Sequence, residues 1–473
     1  MIRRPIMKKL ILTGLMAVFI CFMCAACGGN DGMIHVSPDG NDKTGDGSSG
    51  NPYATVSAAV SNAADGDEVI VHEGTYDSIV LKKNASGTRE NPMVIKAADG
   101  EKAVIKSSGY GIHMVNADNI TIDGFEIEGG THGIYYESTE KQGKDPLENV
   151  TISNCTVHGI RGTHGICVYA RNSLAPVKNL TMEGCHVYDC RCGSSESTVF
   201  NGNIDGFTIS GNVIHDNNNI GIDMIGFEGT ADVPEKDCAR NGVCRGNVVY
   251  NISARGNEAY LEDGEYDLCA DGIYVDGGQD IEIYENFVFN CDIGIEVATE
   301  HSPDDNSLFR VSRIKVHDNV IAACTGWCGL CFGGYDKDLG FTEESEFYSN
   351  TFVDNGTQIG VQRSKGNQIY DNLFAGGDSA VEFNSDCRQK DMVNVFGENT
   401  WCLEEGVKLE DAVDFYGLDP EVLFPEKAMK KQTVISGRDK ALDGFKSLID
   451  GAGSAFVPED KYVEIYEKEV NGK

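Results

Sequence analysis

Three carboxylates stand in similar short segments: Asp223 in Gly221-Ile222-Asp223-Met224, Glu296 at the same place in Gly294-Ile295-Glu296-Val297, and Asp276 two residues further on in Gly272-Ile273-Tyr274-Val275-Asp276. Two carboxyls held a few ångströms apart can divide the work of cutting a glycosidic bond. One attacks the anomeric carbon; the other, kept protonated by its neighbour's charge, protonates the leaving oxygen. If these segments are strands on stacked coils, coils lie about 4.8 Å apart and residues advance about 3.3 Å along each strand. A two-residue offset on adjacent coils then puts the Cα atoms of Asp276 and Glu296 about 8 Å apart. Their side chains can bring the carboxyls to about 5–6 Å, the separation used by retaining glycosidases. Asp223, two coils from Glu296 at about 9–10 Å, is expected to bind substrate or tune the charge of the pair.

Other side chains fall around this trio. Tyr274 shares the outward position, and Glu300-His301 follows the Glu296 strand directly. The stretch 249–270 carries Tyr260, Glu262, Asp263, Glu265, Tyr266 and Asp267, and the next segment brings Trp327. Tyr260, Tyr266 and Trp327 are candidate sugar-stacking platforms, and loops on a rigid scaffold commonly carry binding. The loop acids read as a solvated loop or, alternatively, as oxygen ligands for Ca²⁺. The proposed chemistry requires no cofactor.

Positioning such groups demands a stacked scaffold, and the chain supplies a repeat. A template N/D/G-x-x-φ-x-x-N/C recurs, its seventh position holding Phe125, Cys155, Cys185, Asn212, Asn247, Asn286, Asn319, Asn350 and Asn372. Successive intervals run mostly from 22 to 35 residues. About ten residues after each template lies a Gly-Ile-x-Val strand, with Ile and Val inward and x outward. The x column reads Tyr135, Cys167, Asp223, Tyr274, Glu296, Cys331, Gly360 and Glu382. Short β-branched stretches such as Asn119-Ile120-Thr121-Ile122, divided by Gly and Asn turns, predict an all-β, single-stranded parallel β-helix over residues 34–403. The Asn column is expected inside, each amide satisfying the backbone of neighbouring coils. A short amphipathic helix near Val56–Ala63 is placed as the N-terminal cap of the solenoid. Residues 404–473 read as a charged C-terminal cap or tail.

Residues 1–26 carry the parts of a secretion signal: Arg3, Arg4, Lys8 and Lys9, then an apolar run from Leu10 to Ala26. Ala25-Ala26-Cys27 resembles the lipobox of bacterial lipoproteins, which implies lipidation of Cys27, an exported protein and a linker over 27–33. The membrane is then met only through that anchor. Of the 39 basic side chains in the whole chain, removal of those four leaves 35 against 74 acidic ones, a net charge of −39. Such a charge excludes phosphate-driven nucleic-acid binding. Fourteen of the 17 cysteines lie beyond the signal, without zinc-finger spacing, and are expected as buried stacked thiols with at most one or two disulfides. No metal site is assigned, and the chain is expected to be a monomer.

The opening from His35-Val36-Ser37-Pro38-Asp39-Gly40 to Gly74-Thr75-Tyr76 resembles that of secreted right-handed β-helix, pectate-lyase-like enzymes that degrade polysaccharides. The strands ending in Val275-Asp276 and Ile295-Glu296-Val297 resemble the catalytic strands of β-helical β-xylosidases of glycoside hydrolase family 120. That resemblance implies Asp276 as nucleophile and Glu296 as acid/base. Val275 and Gly277 replace the family's flanking aromatics and no inserted β-sandwich is present, so the sugar does not carry over. The alternatives are a calcium-dependent pectate-type lyase and a non-catalytic glycan-binding surface solenoid. A lyase needs a cationic base, and between Asn201 and Glu300 the only Lys is Lys236, with Arg240, Arg245 and Arg255 off the strand face.

Overall fold

The structure is a computed structural model that describes residues 32–64, 66–301, 310–387, 389–436 and 453–472. The signal segment and Cys27 lie outside the described residues.

Each repeat unit forms one coil with three short strands, and equivalent strands of successive coils pair in parallel to give three long sheets. In one such step Val150 pairs with Leu180 and Ile152 with Met182, all facing inward and fully or almost fully buried. The first template position is Asn, Asp or Gly in most units because the chain turns there through the left-handed region, which those residues adopt most readily; Arg313 and Glu344 make the same turn with φ of 58° and 53°. Asn119, Asn149 and Asn179 have φ of 48°, 58° and 52°. Their amides also stack, Asn149 Nδ2 donating to Asn119 Oδ1 at 2.7 Å.

The seventh position forms an internal ladder from Asn212 to Asn399. Asn286 Nδ2 donates to Asn319 Oδ1 at 2.9 Å, and the same oxygen accepts the Asn286 backbone N–H at 3.0 Å. Each asparagine therefore satisfies the turn of the coil before it. Asn399 extends the column by one rung, accepting from Asn372 at 3.0 Å, where the repeat template ended at Asn372.

The site sheet runs in the order Tyr110–Val115, His132–Ser138, His164–Ala170, Thr198–Gly202, Ile222–Ile225, Asp271–Asp276, Ile293–Ala298, Cys328–Gly333, Thr357–Val361 and Ser379–Phe383. Within the outward column the structure adds one coil between those of Cys167 and Asp223. Thr198–Gly202 places Thr198 and Phe200 inward without the leading glycine, so Val199, not Asp223, follows Cys167 in the outward column.

The helix Val56–Asn62 is capped by the Thr55 side chain, which accepts the Ala58 N–H, and buries Val56, Ala59 and Val60 at the N-terminal end of the core. Parallel pairing runs on past Leu403: Val413–Asp414 joins Ser379–Phe383, and Thr433–Ser436 joins Thr400–Leu403. The helix Asp460–Asn471 lays Tyr466 against Phe287 and Phe289 on an outer face. All fourteen described cysteines are free thiols, and each except the half-buried Cys269 is buried. No helix among the described residues is long and apolar enough to cross a membrane.

Candidate active site

Strand register aligns Asp223 with Tyr274, Tyr274 with Glu296, and Glu296 with Cys331, while Asp276 faces Ala298. Asp276 and Glu296 thus lie on adjacent coils with the two-residue offset read from the sequence, their Cα atoms about 8 Å apart on strand spacings.

A fourth acid, Asp271, joins them from the first position of the strand that ends in Asp276. Gly272 faces the core: a Cβ there would lie 2.5 Å from Val288 Cγ1 and 2.8 Å from the Gly294 carbonyl oxygen. With Gly272 and Ile273 both turned in, Asp271 is left on the outer side, where it meets Glu296 within hydrogen-bonding reach. Strict alternation would have buried Asp271 in the core. The signal was present in the recurrent x-Gly-Ile triplets, since His132-Gly133 and His164-Gly165 open their strands in the same way.

Burial and mutual charge hold the acids around Asp276 above their ordinary values. Burial pushes Glu296 up to about 7, opposed by the hydrogen bond from Asp271 and reinforced by the charges of Glu300 and Asp276. Burial and the facing Glu296 hold Asp271 well above the usual carboxylate range, so Asp271 is the donor of the pair. Asp223 is also held well above that range, by burial and then by Glu196 and Asp276. Glu196 is pushed up to about 8, chiefly by burial, and Glu228 and Glu300 are raised by burial as well. Asp276 has partners that suit an anion: it accepts the Glu300 backbone N–H at 3.2 Å and faces His301 Nε2 at 3.4 Å. Burial disfavours charge on His301, yet Asp276, Glu228 and Glu300 together hold it above its ordinary value.

A cavity of about 360 Å³ opens over these strands, lined in part by Asp271, Tyr274, Glu296, Glu300, Tyr260 and Trp327. Asp223, Asp276, His301 and Tyr266 are not among its lining residues; Asp223 is only 2% exposed and Asp276 6%. Tyr260 sits on a loop anchored by Asn257, whose Nδ2 donates to the carbonyls of Gly193 and Asn218, and Tyr260 Oη accepts from Asn219 at 3.1 Å. Tyr266 lies beyond it on a small antiparallel hairpin. Sequence reasoning missed Asp271, Glu196 and Glu228; the last accepts a hydrogen bond from Asn201.

The loop acids Glu262, Asp263, Glu265 and Asp267 do not converge. Among the described residues, the group bringing three ligand atoms within 4.8 Å is Glu126, Glu128 and His158. That group lies on a different sheet, and Lys102 and Lys106 already pair with its two glutamates at 2.7 and 2.8 Å.

Residues 34–230 match the family described as the Pel9A-like, right handed beta helix region. Among solved structures, the GH136 lacto-N-biosidase from Eubacterium ramulus superposes with a TM-score of 0.56 at 16% identity, covering 78% of this chain and 67% of that one. Pectate lyase Pel9A gives a TM-score of 0.47 at 17% identity, covering 69% of this chain and 76% of its own. At such identities the first of these speaks for the fold alone, a right-handed parallel β-helix. YwoF of Bacillus subtilis (strain 168) is 34% identical over 387 residues, spanning 76% of this chain and 78% of YwoF. With that alignment covering more than two thirds of both proteins, the chain belongs to the YwoF family of right-handed parallel β-helix proteins.

Proposed function

We propose that the protein is an exported glycoside hydrolase of the retaining type, with Asp276 as nucleophile and Glu296 as acid/base. The observation that carries this reading is the state of Glu296: a half-buried carboxyl held up to about 7, facing a cavity, one coil from an Asp whose partners are a backbone N–H and His301. In the first step the Asp276 carboxylate bonds to the anomeric carbon while the glycosidic C–O bond breaks, and the Glu296 proton passes to the leaving oxygen. In the second, Glu296 takes a proton from water, whose oxygen displaces Asp276. Asp271 acts through Glu296 by donating to it, and Asp223 adds to the field that governs both.

An elimination on uronates is the second reading, since one solved neighbour of this fold is named a pectate lyase. Against it stands the cavity lining, which among the described residues carries Asp267, Asp271, Glu296 and Glu300 and no Lys or Arg. A uronate carboxylate would find no basic side chain there to pair with. Digestion of a glycan panel by wild type and by the Asp276→Ala and Glu296→Ala variants tests the proposal. Reducing ends released by wild type alone are expected. Ultraviolet absorbance from 4,5-unsaturated products would mean a lyase, and no product from any glycan would mean a binding solenoid.

The same reading puts the enzyme outside the cell as a monomer, held to the membrane by lipid on Cys27. Radiolabelled palmitate should enter wild type and not Cys27→Ser; unlabelled, freely secreted wild type would refute the anchor.

A further inference from the structure

We infer that the Glu296 cavity is one of two adjoining sugar subsites, the second lying on the coils C-terminal to it, and that the substrate is an oligosaccharide of neutral or amino sugars at least two units long. The inference rests on the hydrolase reading and deepens it.

A second cavity of about 260 Å³ shares Trp327 and Gln362 with the first. Register gives its position: Glu296, Cys331, Gly360 and Glu382 follow one another on successive coils. Glu382 is therefore three coils from Glu296, about 14 Å on strand spacings, a span one monosaccharide does not cover.

Between them the outer face is built as a platform. Gly360 has no side chain at the one place where it would obstruct the Trp327 ring: a Cβ there would lie 2.7 and 2.8 Å from the Cζ2 and Cη2 atoms of the indole. The ring lies across the bare strand and is fixed at its edge, Nε1 donating to Glu382 Oε2 at 3.0 Å. Thr357 Oγ1 donates to the other carboxylate oxygen at 2.6 Å, so Glu382 is held from two sides. Tyr416 lines the same cavity, yet its side chain is mostly in solvent, the residue being 55% exposed. An indole wall and an exposed phenol beside a fixed carboxylate suit a sugar ring, which offers C–H faces to aromatics and hydroxyls to acceptors.

Charge selects the class of sugar. The second cavity adds Glu382 and Asp386 to the acids of the first, and among the described residues neither lining contains Lys or Arg. Uronates and sulfated sugars find no basic partner in those linings, whereas neutral rings need none and amino sugars find carboxyl partners.

Calorimetric titration of the Glu296→Gln protein reads binding without turnover. The ligands are cello-, xylo-, malto- and chito-oligosaccharides of one to four units, with trigalacturonate as the anionic comparison. Affinity should rise about tenfold or more from one unit to three in a neutral or amino series. In the same background Tyr416→Ala, at an exposed position, should keep the parent Tm and abolish most of that rise, and Gly360→Val should do so by displacing the indole. No rise with length, an undiminished rise in Tyr416→Ala, tighter trigalacturonate, or no binding by any series would overturn the inference. Activity surviving in Asp276→Ala would instead remove Asp276 as nucleophile, and with it the retaining mechanism, and leave these binding results standing.

Discussion

Glu296 serves as an acid only while it holds its proton, so the alkaline limb of the activity profile should fall at about pH 7, the value to which burial raises it. Asp271 donates to the Glu296 carboxylate and thereby favours the ionised form. Asp271→Ala should move that limb upward, and Asp271→Asn, which keeps an N–H donor, should move it less; kcat against pH checks both. Between the members of the pair the roles part on leaving-group strength. Glu296→Ala should lower kcat by about 10²–10⁴-fold on natural linkages and much less on activated aryl glycosides, which leave without a proton. Asp276→Ala should stay inactive on both, because no covalent intermediate can form.

At the scale of single elements the inward glycine and the asparagine ladder make separate demands. Gly272→Ala forces its Cβ toward Val288 and the Gly294 carbonyl, costing about 1–3 kcal/mol of overpacking and shifting Asp271 from Glu296. Gly133→Ala meets equal crowding, 2.4 Å from the Gly165 carbonyl, several coils from the acids. Both variants should lose stability in denaturant titrations, and only Gly272→Ala should also lose kcat. Asn286→Ala removes the acceptor for the Asn247 backbone and side-chain N–H groups, leaving buried donors unpaired. A loss of about 1–3 kcal/mol is expected, seen as a lower midpoint of chemical unfolding.

Across the whole molecule the raised acids link stability to pH. Glu196 and Glu296 keep protons to about pH 8 and 7 when folded, against the ordinary glutamate value of 4.5 when unfolded. The folded state then binds more protons than the unfolded one throughout that window. Their contribution is complete below about 4.5 and is lost as the pH climbs through 7 to 8. The melting temperature should therefore fall from pH 5 to pH 8.5, and Glu196→Gln should flatten the slope. Added salt should recover part of the loss at the alkaline end, because it screens the self-repulsion of a strongly acidic chain.

The sequence by itself determined the coil. Side-chain alternation and left-handed turns are local requirements that recur from unit to unit, and the buried amide ladder recurs from Asn212 onward, so Asn286 and Asn319 could be placed together from spacing alone. It also determined the offset of Asp276 from Glu296, because a strand advances by a fixed step. What only the tertiary structure decided is whatever breaks the period. Thr198–Gly202 supplied a coil without the leading glycine, and the inward Gly272 turned Asp271 outward against the alternation. Glu196 and Glu228 come from a corner and a loop, where no repeat fixes direction. Their protons, like that of Glu296, depend on burial and on each other's charge, and those are set by neighbours on different coils, dozens of residues away in the chain.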